Sequence, residues 1–297
     1  MRPLDYPSWL AKCFGYQILP AYILKSKLSF LTQFSFAKPS ANGHDGEMTS
    51  SPALALKNPA ISVVVPVYNE AENVAKLVAE IAAAFDGKAY EMIFVNDCSS
   101  DDSLQVLRGL KENYSALRVL SHRANAGQSR SVRTGILAAS APVIGTLDGD
   151  GQNDPADLPA MFEQLTRADA PDGLQLVGGR RAKRIDSAAK KIASRFGNDI
   201  RKKLLKDNAD DTGCGIKVFG REAFLRLPYF DHIHRYIPAL MLREGYATEF
   251  MDVNHRSREF GVSKYTNFGR LIVSIADLRG VMWLNKRSKN PGGWDEV

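Results

Sequence analysis

Residues 143–152 read Val-Ile-Gly-Thr-Leu-Asp-Gly-Asp-Gly-Gln, an apolar run that ends in two aspartates separated by one glycine. The run predicts a buried strand, and side chains two residues apart in extended backbone point the same way. Asp148 and Asp150 can therefore face one hard cation, because Mg²⁺ and Mn²⁺ prefer oxygen ligands and share their coordination with water and substrate phosphate. Roughly one D-x-D is expected by chance in a chain of this length. Its place directly after a strand makes this one a candidate metal site.

Outward from this stretch, apolar runs alternate with helical patterns. Ile61–Val67 is a continuous β-branched run, typical of a strand buried on both faces. Further strands are predicted at 92–95, 118–120, 143–147 and 175–177. Helical spacing between the strands predicts helices around Leu77, Leu107, Ile136 and Met161. This alternation predicts an α/β fold with a mostly parallel sheet between helices, whose ligands bind at the carboxyl ends of the strands.

Polar residues follow two other predicted strands of this sheet. Residues 66–70 read Pro-Val-Tyr-Asn-Glu after the first strand, and Asn96 and Asp97 follow the second. Three polar strand ends that meet at one edge indicate a binding site rather than padding. No G-x-G-x-x-G follows the first strand, which argues against a dinucleotide dehydrogenase, and no G-x-x-x-x-G-K-[ST] occurs, which argues against a P-loop.

The cysteines and histidines give weaker signals. Three cysteines without a C-x-x-C pair argue against a disulfide framework or a zinc ribbon, and we expect Cys98 and Cys214 to be small, buried packing residues. His232 and His234 could form a metal pair, but no third ligand lies at a useful spacing. We expect this segment to line the entrance to a binding site or to pack in the core.

The composition is that of a globular protein with an uneven charge. The 297 residues are 44% hydrophobic and 24% charged, with a net charge of +6. Residues 180–206 contain eleven Lys and Arg against two Asp, a balance of +9 that exceeds the net charge of the whole chain. Such a segment favours a phosphate-bearing partner, namely a nucleotide, a nucleic acid or an anionic lipid. The alternative is a solvated helix face.

Three regions are predicted along the chain. Residues 1–58 lack periodicity and form an extension and linker, expected to be poorly ordered; residues 1–47 could instead be translated from an upstream start codon, because Met48 lies just before the folded domain. A membrane-surface anchor is the other possibility for this region. Residues 59–265 form the main folded domain, and 266–297 form an amphipathic helix and a basic tail. No apolar run reaches the roughly 18–20 residues of a membrane helix.

Seven short motifs follow one another along the chain. They are VPVYNE at 65–70, VNDCS at 95–99, N-x-G at 125–127, D-x-D at 148–150, GGRR at 178–181, DTGCG at 211–215 and H-x-x-R-x-x-G-x-SKY at 255–265. Together these motifs resemble family 2 glycosyltransferases with a GT-A fold, and more narrowly the dolichyl-phosphate mannosyltransferase-like branch. The resemblance covers roughly residues 60–285. The sequence departs from the family at Asn96, where an aspartate is usual, and many relatives carry membrane helices after the catalytic domain.

The resemblance implies roles for individual residues. The base and ribose of a nucleoside diphosphate sugar would be surrounded by Pro66, Tyr68, Glu70 and Asp97. Mg²⁺ or Mn²⁺ and the diphosphate would be held by Asp148, Asp150 and Gln152. The phosphates of donor and acceptor would be met by Arg180, Arg258 and Lys264. Asp211 would lie near the acceptor, so that the predicted catalytic set is Asp150, Arg258 and Asp211.

The implied activity is that of an inverting glycosyltransferase that moves a hexose from a nucleoside diphosphate sugar to a polyprenyl phosphate. We expect a peripheral enzyme at the cytoplasmic face of the membrane that serves the cell envelope, with no nucleic acid as partner. One alternative is a glycosyltransferase that acts on a sugar or lipid hydroxyl and needs a general base. A second alternative, of another class, is a non-catalytic binder of nucleotide sugars or nucleic acid.

Overall fold

In the computed structural model of the chain, the described residues are 58–181, 201–207, 209, 211–257, 267–289 and 296. The predicted extension up to residue 57, most of the basic segment, Arg258 and Lys264 lie outside them. The boundaries drawn at 58/59 and 265/266 therefore stay predictions.

The described residues form one seven-stranded sheet in the order β3-β2-β1-β4-β6-β5-β7. Strand β6 is antiparallel to both of its neighbours, and the other four strand pairs are parallel. The prediction of a mostly parallel sheet is confirmed. The strands are β1 Ile61–Val67, β2 Tyr90–Asn96, β3 Leu117–Ser121, β4 Val143–Thr146, β5 Leu174–Arg181, β6 Lys217–Gly220 and β7 Ala247–Val253.

Helices cover both faces of this sheet. Alternate residues of β1 feed two separate cores, because successive side chains of a strand point to opposite faces. Val63 packs in the first core with Leu77 of the first helix, and Val64 packs in the second core with Ile136 of the third. The result is a three-layer α/β/α arrangement of the GT-A type. The helices are α1 Ala71–Ala84, α2 Ser103–Leu110, α3 Gln128–Ala138, α4 Leu158–Thr166, α5 Arg221–Leu225, α6 Ile237–Arg243 and α7 Asn267–Arg287; residues 201–205 are helical as well.

A buried carboxylate links the amino ends of the central strands by hydrogen bonds. Glu91 of β2 is 2% exposed and accepts hydrogen bonds from Ser62 Oγ at 2.6 Å, Ser140 N at 2.6 Å and Arg118 Nη1 at 2.5 Å. Burial works to raise the pKa of Glu91, but these three donors outweigh it, so that the pKa lies below its ordinary value. The fold thus stabilises the ionised form of Glu91.

The last helix, α7, packs on α6 through one part of its surface. Val281 is buried in the second core, and Tyr236 donates a hydrogen bond of 3.2 Å to the carbonyl of Ser274. Ile275 and Trp283 remain exposed. None of the helices in the described part of the chain combines the length and the hydropathy that a membrane crossing requires.

The prediction for the two cysteines is half right. Cys214 is 1% exposed and packs in the first core. Cys98 is exposed, and burial was the wrong expectation for it. It lies in the turn after β2 with a φ of 59°, where the backbone leaves the sheet and carries the side chain outward.

Candidate active site

The loops after β1 and β2 are tied to each other at the carboxyl edge of the sheet. Asn69 N donates to Ser99 Oγ at 3.0 Å, and Asn69 Oδ1 accepts from Ser100 N at 2.8 Å. Asn69 has a φ of 54°, a left-handed conformation that asparagine adopts more readily than most residues. These bonds hold the segment 66–70 in place, with Tyr68 40% exposed at the rim.

Glu70 and Pro66 connect this loop to the elements beside it. Glu70 precedes α1; its N–H donates to Ser103 Oγ at 2.8 Å, and its carboxylate accepts from Asn73 Nδ2 at 2.7 Å. The carbonyl of Pro66 lies against Gly149, where an added Cβ would come within 2.7 Å of that oxygen. The end of β1 therefore adjoins the D-x-D directly.

Asp97 supports the loop that leads into α3. It is 3% exposed, and its carboxylate accepts hydrogen bonds from Ala126 N at 2.9 Å and Gly127 N at 2.7 Å and lies 2.7 Å from His122 Nδ1. Gly127 has a φ of 84°, which a residue with a side chain would adopt only under strain. Both carboxylate oxygens of Asp97 are engaged in these contacts, and a direct contact with a nucleobase stays a prediction.

The two aspartates of the D-x-D lie together at the end of β4. Asp148 Oδ1 accepts a hydrogen bond from Gln128 Nε2 at 2.7 Å, and Asp150 Oδ1 accepts one from Gln152 N at 3.2 Å. Burial, followed by the charge of Asp150, raises the pKa of Asp148 to about 6. A carboxylate whose ionised form is disfavoured in this way gains stability when a cation binds beside it.

Asp148 and Asp150 also line two neighbouring depressions. Asp150 faces a small crevice against α1 with Lys76 and Arg256, and Arg256 is held by Glu80 at 2.8 Å. Asp148 lines a pocket of about 310 Å³ on the other side. The D-x-D thus separates two spaces at the edge of the sheet.

The loop 211–215 closes over the D-x-D. At Gly215 an added Cβ would lie 2.1 Å from Asp148 Oδ2, so that only glycine lets the backbone approach this carboxylate. Asp211 is 7% exposed and receives two hydrogen bonds from Arg181, 2.5 Å from Nε and 2.7 Å from Nη2. The predicted site residue Asp211 therefore forms an ion pair with Arg181.

Arg180 and Arg181 have different partners. Arg180, which the resemblance assigns to phosphates, is 43% exposed and donates to Asp252 of β7 at 2.6 Å. Arg181 makes the bidentate pair with Asp211 and received no role from the sequence. Strand β5 extends through both arginines, and neighbouring side chains of a strand point to opposite faces.

The pocket beside Asp148 contains functional groups that sequence reasoning missed. Lys217 of β6 is 6% exposed and donates to the carbonyl of Cys214, and burial lowers its pKa. His234 lies 2.7 Å from Ser129 Oγ through Nδ1. A lysine at the start of an otherwise apolar strand was the signal available for Lys217. The pocket is lined, among others, by Gln128, Asp148, Thr212, Lys217, His234 and Arg235.

The donor set suits a hard divalent cation that substrate helps to coordinate. Of the three predicted ligands, Asp148 and Asp150 carry carboxylate oxygens and Gln152 carries an amide oxygen, the ligand types that Mg²⁺ and Mn²⁺ prefer. Among the described residues, no group of three His, Cys, Asp or Glu side chains could enclose a metal ion. Such a cation would therefore depend on phosphate and water for its remaining ligands.

The fold and the carboxylates at its edge define a glycosyltransferase of the GT-A type. Residues 62–227 match the model of glycosyl transferase family 2, and the chain belongs to this family. It is 32% identical to dodecaprenyl-phosphate galacturonate synthase of Rhizobium johnstonii, over 82% of this chain and 72% of that protein. It is 35% identical to undecaprenyl-phosphate 4-deoxy-4-formamido-L-arabinose transferase of Pectobacterium carotovorum, over 73% of this chain and 66% of that protein.

Solved structures share the fold at low sequence identity. Glucosyl-3-phosphoglycerate synthase from Mycobacterium tuberculosis, in complex with Mn²⁺, uridine diphosphate and phosphoglyceric acid, aligns with a TM-score of 0.58 and 18% identity, over 80% of this chain and 82% of that one. A mannosyltransferase from Pyrobaculum calidifontis in complex with GDP-mannose and Mn²⁺ aligns with a TM-score of 0.56 and 16% identity, over 80% and 67%.

Proposed function

We propose that this protein transfers a hexose from a nucleoside diphosphate sugar to a polyprenyl phosphate, with inversion at the anomeric carbon. The observation that carries the proposal is the D-x-D at the carboxyl edge of a family 2 chain. The names of both relatives support the acceptor, since each describes the transfer of a sugar to a polyprenyl phosphate. Mg²⁺ or Mn²⁺ is the proposed cofactor.

Asp148, Asp150 and Gln152 would hold the metal and thereby position the diphosphate of the donor. A metal bound there would neutralise the charge that develops on the leaving diphosphate. Gln128 fixes the orientation of Asp148 by its hydrogen bond, and Gly215 allows the loop 211–215 to pack on the same carboxylate. These contacts thus provide a pre-formed position for the leaving diphosphate at the end of β4.

The hydrogen bonds of Asp211 favour a phosphate over a hydroxyl as the acceptor. A phosphate monoester has a second pKa of about 6 and is mostly dianionic at neutral pH, so that it can attack the anomeric carbon without a protein base. A hydroxyl acceptor would need a base within hydrogen-bond reach. Both oxygens of Asp211 accept hydrogen bonds from Arg181, and protonation would disrupt that pair. This arrangement supports a phosphate acceptor.

We also propose that the protein binds peripherally to the cytoplasmic face of the membrane. The exposed apolar residues Ile275, Met282 and Trp283 of α7 share their helix with Lys286 and Arg287. Apolar side chains together with basic ones favour an anionic leaflet. Arg258 and Lys264 are proposed to meet the phosphates.

A direct assay tests the proposal. Purified protein is incubated with undecaprenyl phosphate, a panel of UDP-, GDP- and dTDP-sugars, and Mg²⁺ or Mn²⁺, and the glycosylated lipid is detected by mass spectrometry. We expect transfer from at least one donor and its loss in excess chelator. Transfer to a lipid or sugar hydroxyl instead would support the first alternative.

Two variants separate the acceptors further. At saturating donor, we expect Arg258→Ala to lower activity more than Asp211→Asn, mainly through weaker use of the acceptor. If Asp211→Asn abolishes turnover while its stability and its affinity for the donor stay unchanged, and Arg258→Ala is mild, Asp211 acts as a general base, the acceptor is a hydroxyl and the polyprenyl phosphate proposal fails.

A further inference from the structure

The pocket beside Asp148 has the size and the mixed polar and apolar lining of a space for one sugar ring. Its volume of about 310 Å³ lies at the lower end of the range of ligand pockets, roughly 300–1,000 Å³. Gln128, Thr212 and His234 contribute hydrogen-bonding groups to its lining, and Val132, Leu147 and Ile237 contribute apolar surface. Such a mixed lining suits a sugar ring, which presents both hydroxyl groups and apolar C–H faces. The pocket also adjoins Asp148, the proposed metal ligand beside the donor diphosphate, and this position favours the glycosyl group of the donor over the tail of the acceptor.

His234 lines this pocket with a fixed ring orientation and an uncharged imidazole. Its Nδ1 lies 2.7 Å from Ser129 Oγ in the first turn of α3, which fixes the orientation of the ring. Burial, with a smaller effect of the charge on Arg235, lowers the pKa of His234 well below its ordinary value. The neutral imidazole can form a directed hydrogen bond with a sugar oxygen.

The cations around the pocket differ in whether a carboxylate pairs with them. Arg181 is paired with Asp211, and Lys217 interacts electrostatically with Asp148 and Asp211. Arg235 lines the pocket and donates a long hydrogen bond of 3.4 Å to Ser274 Oγ. Within the described ranges, no carboxylate forms an ion pair with Arg235. A negatively charged group on a ligand could form that ion pair with Arg235.

We propose that this pocket holds the transferred sugar and that Arg235 binds a carboxylate on it, so that the donor is a nucleoside diphosphate hexuronate. The inference rests on the proposed function and narrows its substrate class. The two relatives transfer different sugars, one of them galacturonate, so family membership leaves the sugar open. The planar guanidinium suits a carboxylate because it can donate two parallel hydrogen bonds.

The test compares two donors that differ only at C6. UDP-galacturonate carries a carboxylate there and UDP-galactose a hydroxymethyl group. Binding of each donor with Mn²⁺ is measured by calorimetry, and transfer to undecaprenyl phosphate is measured in parallel. The variants are Arg235→Gln, the charge-conserving Arg235→Lys, and the matched control Arg226→Gln. Arg226 is exposed, donates 3.3 Å to Tyr246 OH and does not line the pocket.

We expect the wild-type protein to bind UDP-galacturonate at least about tenfold more tightly than UDP-galactose, the difference that one charge-assisted hydrogen bond provides. Arg235→Gln should remove this preference, Arg235→Lys should keep part of it, and Arg226→Gln should leave it unchanged. Preference for UDP-galactose, or for a neutral sugar on another nucleoside diphosphate, overturns the inference.

Two further outcomes also overturn it. Equal weakening of both donors by Arg235→Gln would place Arg235 at the diphosphate that both share or in a structural role, and a raised KM for undecaprenyl phosphate with both donors would place Arg235 at the acceptor. The inference and the proposed function can fail separately. Selective binding of UDP-galacturonate without lipid product would contradict the function alone, whereas efficient transfer of a neutral sugar would contradict the inference alone.

Discussion

The two ends of the central strands carry buried carboxylates in opposite electrostatic states. At the amino ends, Glu91 accepts hydrogen bonds from Ser62, Ser140 and Arg118, and its pKa lies below the ordinary value. At the carboxyl ends, burial and the neighbouring Asp150 raise the pKa of Asp148 to about 6. The same sheet thus satisfies one carboxylate fully and leaves the other in a site that disfavours its charge.

This difference separates a structural charge from a functional one. A buried charge that the fold needs is supplied with donors by the fold itself, because an unsatisfied one costs stability. A buried charge that remains unfavourable in the free protein gains a partner only when a ligand binds, which is why perturbed carboxylates cluster at functional sites. Substitutions at the two ends should therefore have different effects, on activity at the carboxyl end and on stability at the amino end.

The largest expected effect is that of Asp150→Asn at the carboxyl end. Turnover should fall by about 100-fold or more, because the metal loses a carboxylate ligand and the leaving diphosphate loses its neutralising partner. The free energy of unfolding should change little. Activity is measured with and without excess chelator, and Asp169→Asn, an exposed aspartate remote from the D-x-D in sequence, is the control. Full activity of Asp150→Asn would contradict a functional role for the carboxylates at the carboxyl ends of the strands.

A smaller loss is expected for Gly215→Ala. The new Cβ would lie 2.1 Å from Asp148 Oδ2, so that the carboxylate must move. A displacement of about 1 Å can cost up to about 100-fold in rate, and we expect a loss of about 10- to 100-fold in turnover. Gly109→Ala is the matched control, since nothing lies within 4 Å of its added Cβ. Unchanged turnover in Gly215→Ala would show that the position of Asp148 does not matter.

At the amino end, Glu91→Gln should lower stability and leave the activity of the folded protein unchanged. The substitution removes the charge that pairs with Arg118 and weakens the bonds from Ser62 and Ser140, at a cost of about 2 kcal/mol. Denaturant unfolding measures this cost. Glu163→Gln is the control, because the 71% exposed Glu163 pairs with Lys88 at the surface and should change stability by less than about 0.5 kcal/mol. Lost turnover in folded Glu91→Gln protein would give this end a functional role.

The sequence predicts the sheet and the D-x-D for a local reason. Buried parallel strands are continuous apolar runs, and residues that follow such runs necessarily meet at one edge of the sheet. The alternation of strands and helices between Ile61 and Leu165 is therefore readable from the sequence without any knowledge of distant contacts.

The partners of the site residues depend on register and on long-range contacts, which the sequence does not display. The predicted strand at 175–177 is too short, since β5 extends to Arg181, and a shift of one residue decides whether Arg180 or Arg181 reaches Asp211. Ser129 and His234 meet across 105 positions of the chain. No local sequence pattern around Ser129 or His234 predicts that contact.

The smallest expected effects are two opposite pH dependences of stability, measured in chelator. For Glu91 the folded pKa is lowered, so that its contribution is complete above the ordinary value of 4.5 and is lost as the pH falls through the folded value. For Asp148 the folded pKa is raised to about 6, so that the folded state binds the proton first and gains stability as the pH falls from 7 towards 5. The wild-type advantage over Glu91→Gln should therefore stay constant between pH 7 and 5 and shrink below about 4.5. Relative to Asp148→Asn, the wild-type protein should instead gain about 1 kcal/mol between pH 7 and 5, the worth of roughly one pKa unit. Chemical denaturation at each pH measures both differences, and parallel slopes would mean that the two carboxylates occupy equivalent environments.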